Sequence, residues 1–96
     1  MKILAIEKDL PGVDWSNAQY ALEQETRQVY QIYLAGLLRE IYFNESHNAV
    51  LVLECESKQQ ALEILGSLPL VRKKMIEFDV MELRPYDGYL RIIGKD

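Results

Sequence analysis

The chain is poor in the residues that make fixed chemistry easy to recognise. It holds one cysteine, one histidine, one tryptophan and three prolines in 96 residues. The lone Cys55 excludes an internal disulfide and any cysteine-rich metal site. At the end of an apolar run it reads as a buried, inert thiol. The lone His47 excludes a histidine-rich metal site, which needs several converging ligands. Flanked by Ser46 and Asn48, it reads as a surface turn residue. No metal is therefore expected. A Gly-rich phosphate loop, a nucleophile elbow and zinc-ligand spacing are all missing. Positive charge is scarce too, with 11 Lys and Arg against 15 Asp and Glu and a net charge of −4. Nucleic-acid binders need basic patches to neutralise phosphates, and the only basic run, Arg72-Lys73-Lys74, is too short to dock one. No stretch approaches the roughly 20 apolar residues that span a bilayer. The N-terminus opens on a strand-like pattern, without the h-region and cleavage site of a signal peptide. These absences predict a cytoplasmic protein of a reducing compartment, with no membrane and no nucleic-acid partner.

What is present is apolar surface. A chain of this length reads as a single domain, residues 1–96. Such a chain buries only roughly 60–65% of its unfolded surface, so its own core is thin. Yet 49% of its residues are hydrophobic. A small domain with that composition is expected to cover part of its apolar surface with a partner.

Residues 2–8 read as a strand with apolar side chains on both faces, Ile3 and Ala5 against Leu4 and Ile6. Leu10-Pro11-Gly12 stops it. From about Asn17 to Ala35, helical spacing places Leu22, Val29, Tyr33 and Leu37 on one stripe, widened by Tyr30 and Leu34. Gly36 ends that helix through the left-handed conformation other residues resist. Leu38 to Asn44 is strand-like, with Arg39, Ile41 and Phe43 alternating against Leu38, Glu40 and Tyr42. The short turn Glu45-Ser46-His47-Asn48 implies an antiparallel hairpin with Ala49–Leu53, a central strand. Ser57 caps a second helix from Lys58 to about Ser67, and Pro69 forbids its simple continuation. Ile76 to Leu83 is the last strand, and the apolar tail Tyr89–Ile93 is expected to pack on a partner or pair as an edge strand.

Strand, helix, strand, strand, helix, strand with right-handed crossovers gives an α+β, ferredoxin-like βαββαβ fold. It is a four-stranded antiparallel sheet with two helices on one face. The other face is then bare and partly apolar. A second copy of the chain is the economical cover, which predicts a homodimer or an assembly of dimers.

Leu68-Pro69-Leu70, then Met75-Ile76-Glu77, then Arg84-Pro85 resembles the C-terminal half of muconolactone isomerases. Gly36 followed by Arg39 resembles their helix end and second strand, and the likeness spans roughly residues 22–88. A more distant likeness is to YCII-related domains. Both families have a ferredoxin-like fold that assembles as a dimeric α+β barrel, and the resemblance implies the same here. Glu25, counted back from Gly36, falls where muconolactone isomerases carry a glutamate and YCII-related domains carry their proposed active-site histidine. The YCII partner aspartate would precede Pro69, where this chain has Leu68, so that dyad cannot form. The loop Pro11-Gly12-Val13-Asp14-Trp15 does not match the isomerases.

The resemblance makes Glu25 the candidate catalytic residue. Muconolactone isomerisation moves a proton between two carbons, and one carboxylate does this if partial burial raises its pKa. Glu25 lies one turn from Leu22 and Val29, which suits that setting; the alternative is an ordinary solvated helix glutamate. Arg39 offers a fork of donors to a substrate carboxylate, or else a structural ion pair with Glu40, Glu54 or Asp79. Tyr30, Tyr33 and Tyr42 either line a pocket with inward hydroxyls or serve as aromatic packing. The function expected is a cofactor-free isomerase or lyase acting by proton transfer on a small organic acid or lactone. The alternative is a non-catalytic ligand-binding or assembly module, because fold likeness alone does not choose a reaction.

Overall fold

Alternation along the strands decides what each side of the sheet meets. The computed structural model describes residues 1–94. Its strands are β1 (Lys2–Asp9), β2 (Leu38–Phe43), β3 (Ala49–Glu54) and β4 (Ile76–Leu83). They form one sheet in the order β2-β3-β1-β4, with every neighbouring pair antiparallel. Ile3 lies opposite Leu53, and Ala5 opposite Leu51 and Val80, so these residues share one face. That face receives helices α1 (Gln19–Leu34) and α2 (Lys58–Gly66). Ile32 of α1 with Ala61 and Leu65 of α2 close over Ile3, Leu51 and Leu53 in the main core cluster. Each fully buried Leu or Ile there contributes about 1.5–3 kcal/mol relative to exposure. This is the ferredoxin-like α+β arrangement that the element order predicts.

The helix ends follow from particular residues. Gly36 at φ 81° closes α1, with the Leu37 N–H donating to the Ile32 carbonyl and the Gly36 N–H to Tyr33. That is the paired bonding of a left-handed helix stop. The Ser57 hydroxyl caps α2 by accepting the Gln60 N–H at 3.1 Å. Pro69 does more than end α2. It opens a further short helix, α3 (Pro69–Arg72), at the first position, where its missing N–H is not needed. A second cluster, Ala21, Leu70 and Ile76, ties α1, α3 and β4 together.

Two sequence expectations are corrected here. Strict alternation puts Arg39 with Ile41 and Phe43, but a bulge shifts the register between Leu38 and Glu40. Leu38, Ile41 and Phe43 therefore share the helix-side face, opposite Leu53, Leu51 and Ala49, and Arg39 falls in the bulge. The tail after β4 does not pair as an edge strand. It forms one 3₁₀ turn (Gly88–Arg91) and leaves Tyr89, Leu90, Ile92 and Ile93 exposed. The longest dimension of the chain is 63 Å against 27 and 20 Å across, with a radius of gyration of 16.3 Å. A compact chain of this length would have roughly 12–13 Å. On the sheet side away from the helices, Leu4, Ile6, Val50 and Val52 are half-buried and Met81 and Leu83 exposed.

Candidate functional site

The helix-side face of β1 runs Ile3, Ala5, Glu7, Asp9. Its first half is closed by the core and its second half opens into a cleft of about 660 Å³. Helix α1 contributes Leu22, Glu25 and Val29 to one wall. Ile41 and Phe43 of β2, with Leu51 of β3, form the facing wall. Phe78 and Ile76 of β4 and Trp15 close the far end. The volume lies within the roughly 300–1,000 Å³ of small-molecule sites.

Two carboxylates set its electrostatics. Glu25 is half-buried, and its Oε1 accepts the Leu70 N–H at 2.9 Å. That amide lies in the first turn of α3, where no intrahelical acceptor exists, so Glu25 serves as its cap. Burial raises the Glu25 pKa, and the bond from Leu70 opposes the rise. Glu7 reaches across to β3, where its Oε1 accepts the Ala49 N–H at 2.9 Å. Its pKa is pushed up to about 7, first by burial and next by hydrogen bonding to Asp9. The Ala49 N–H opposes this, while the charges of Asp9 and Glu25 add to it. Like charges in one apolar site push a proton onto one of the carboxyls. Among the described residues, no Lys or Arg lines the cleft.

Of the residues singled out from sequence, Glu25 is placed in the cleft. Tyr42 borders it, but its hydroxyl donates to Glu40 at 2.8 Å, and Tyr42 lies opposite Val50 on the other face of the sheet. Tyr30 and Tyr33 are exposed and stacked on each other with ring centroids 6.3 Å apart, outside the cleft lining. Arg39 donates from Nε to the Gly36 carbonyl at 2.8 Å, away from the cleft. The set of Arg39, Tyr30, Tyr33 and Glu25 is thus not brought together. His47 lies at the mouth, stacked on Phe43 at 4.0 Å. Its backbone, at φ 61°, takes a left-handed conformation uncommon outside glycine.

Glu7 was not among the candidate residues, although its signal was in the sequence. It continues the period-two face of Ile3 and Ala5, and an acid on the buried side of a strand is unusual. Among the described residues, no group of three or more His, Cys, Asp or Glu is arranged to hold a metal ion. No described helix is long and apolar enough to cross a membrane.

The chain matches no protein-family model and no curated protein sequence. Among solved structures it is similar to muconolactone isomerase, with a TM-score of 0.75 and 18% identity over 92% of this chain and 93% of that one. It is also similar to 5-chloro-2-hydroxyhydroquinone dehydrochlorinase of Burkholderia phenoliruptrix AC1100, solved with 2,5-dihydroxybenzoquinone. That match has a TM-score of 0.64 and 14% identity over 92% of this chain and 98% of the other. The chain has the fold of muconolactone isomerase, as the sequence resemblance implied.

Proposed function

We propose that the cleft performs cofactor-free proton transfer on a small, uncharged, unsaturated carbonyl compound of the lactone type, with Glu25 as the base. The observation that carries this reading is a half-buried carboxylate, raised in pKa, in an apolar cleft of substrate size. Glu25 removes a proton from the carbon beside the carbonyl, and the electron pair moves onto the carbonyl oxygen to give a dienolate. The same carboxyl returns a proton at the far end of the conjugated system. A double bond has moved, and nothing has been oxidised or reduced. An organic acid suits the cleft less well than a neutral lactone. Three carboxyl side chains line it, and Arg39, the candidate for binding a substrate carboxylate, is turned to Gly36. A muconolactone isomerase and a dehydrochlorinase solved with 2,5-dihydroxybenzoquinone share this fold.

The test is deuterium uptake. Incubated with α-angelica lactone in deuterium oxide, the protein should speed incorporation at the ring carbons, followed by proton NMR. Glu25→Gln should lower that rate about 100-fold or more, the usual effect of losing a general base. Equal rates in the two proteins would end this reading.

One observation favours the alternative of a non-catalytic binding module: Glu25 caps α3 through the Leu70 amide. Gln keeps an oxygen acceptor for that bond, so a Glu25→Gln protein with unchanged stability and lost turnover separates the two. The working unit in either case is a homodimer joined through the bare sheet face, where half-buried aliphatic side chains lack a cover.

A further inference from the structure

We propose that Glu7, backed by Asp9, is the hydrogen-bond donor that receives the oxygen of a bound enolate in this cleft. The proposal rests on the enolate chemistry above and concerns a different residue and a different step. Negative charge that develops on a carbonyl oxygen must be met by a donor placed in advance. A cleft lined by three carboxyl groups and, among the described residues, no Lys or Arg is otherwise a poor place for an anion.

Few side-chain donors line the cleft besides Glu7: Thr26, Tyr42, His47 and the Trp15 indole. The Thr26 hydroxyl donates to the Leu22 carbonyl at 3.0 Å, and the Tyr42 hydroxyl donates to Glu40 on the other face of the sheet. His47 is stacked on Phe43 at the mouth. Glu7 instead lies on the helix-side face of the sheet, across from Phe78 on β4 and bonded to Ala49 of β3. One of its oxygens takes the Ala49 N–H, which fixes the carboxyl, and the proton shared with Asp9 is the one that turns to the enolate oxygen when the anion binds. Desolvation and Asp9 keep that proton in place up to about neutral pH. A neutral carboxylic acid held in an apolar site is a known form of enolate donor.

The charged groups that act on Glu7 are Asp9 on its own strand and Glu25 on α1, and His47, in the turn before β3, shares the cleft lining. Lys8 and Asp79 pair on the opposite face of the sheet. The probe is tetronic acid, a five-membered lactone whose enol is ionised at neutral pH, compared with the uncharged butenolide of the same ring. Trp15, the one tryptophan, lines the cleft and reports binding by fluorescence. Tetronate affinity should fall about tenfold from pH 6 to pH 8 as the protonated fraction of Glu7 falls. Butenolide affinity should stay level.

Glu7→Gln should flatten the tetronate profile to within about twofold, since an amide does not titrate in this range. Glu7→Leu should remove the preference for tetronate over butenolide at every pH. Asp9→Asn should move the fall to lower pH. A level profile in the parent protein overturns the proposal. So does a profile that survives Glu7→Gln, or an absence of tetronate binding at any pH. Binding with this profile but without deuterium uptake would sink the Glu25 reading and keep the Glu7 one. Uptake with a profile indifferent to Glu7 would do the reverse.

Discussion

The two halves of one sheet face make opposite use of the same backbone. At one end of β1, Ile3 and Ala5 are sealed under α1 and α2 with Leu51, Leu53, Ala61 and Leu65. At the other end, Glu7 and Asp9 stand where the next two core residues would come, and the helices leave a cleft over them. The packed half carries the stability of the fold. The open half carries acids that burial penalises, because a carboxylate taken out of water loses hydration that few neighbours restore. Only a fold held from elsewhere tolerates such a patch, which is why site and core lie side by side on one strand.

The largest effect is expected on the other side of the sheet, where none of the described helices covers the apolar face. Val52→Asp puts a charge at its centre, opposite Leu4. The parent protein should be a dimer or an assembly of dimers at micromolar concentration by light scattering. The variant should dissociate and lose much of its folded signal, since subunit contacts and stability are linked. A parent that is a stable monomer would remove the dimer proposal.

Truncation should separate the two halves next. Leu53 is fully buried, and Leu53→Ala should cost about 2–5 kcal/mol through lost burial and a cavity. Phe43, at the cleft edge, is 63% exposed, so Phe43→Ala should stay below about 1 kcal/mol. Urea denaturation with unchanged slope measures both. Similar losses would mean that the cleft wall is as much core as the packed end.

Titration gives a smaller effect with a definite sign. Glu7 has a pKa of about 7 when folded against 4.5 for the ordinary side chain, so the folded state holds the proton more tightly. Its stabilising contribution is complete below about pH 4.5 and is lost as pH rises through about 7. Glu25, also raised, acts in the same direction. Allowing for solvent screening at a half-exposed group, stability should fall by on the order of 1 kcal/mol between about pH 5 and pH 8. Glu7→Gln should remove most of that slope in urea melts at the two pH values.

Much of this architecture is legible in local chemistry. Gly36 needs the left-handed stop, Ser57 supplies a cap, and the alternation from Ile76 to Leu83 marks β4 to the residue. These signals act within a few residues, so pattern finds them. Arg39 was assigned the wrong face because a bulge breaks the period of two, and no local residue announces it. Tyr30 and Tyr33 looked like part of the apolar stripe, but the buried residues of α1 are only Ala21 and Ile32, so the stripe is narrower than its aromatics suggest. Glu7 was legible by the same alternation that placed Ile3 and Ala5. The apolar pairs of this strand drew the reading, and the acid that continues one of its faces was not weighed.

Pro69 joins the two halves and offers the finest test. It ends α2, which belongs to the packed core, and starts α3, whose Leu70 amide is held by Glu25 at the cleft. Its ring sets φ for the first helical position and removes an N–H that would have no acceptor there. Pro69→Ala frees that dihedral in the unfolded chain and should cost about 0.4–1 kcal/mol. The structural consequence should be local, a loss of hydrogen-exchange protection from Leu70 to Met75. The Arg72, Lys73 and Met75 amides in this stretch donate to Leu68, Pro69 and Leu70. Protection at Ala61 and Leu65, within the packed half, should not change. Unaltered exchange from Leu70 to Met75 would show that the proline only terminates α2, and that Glu25 and the core cluster hold α3 without it.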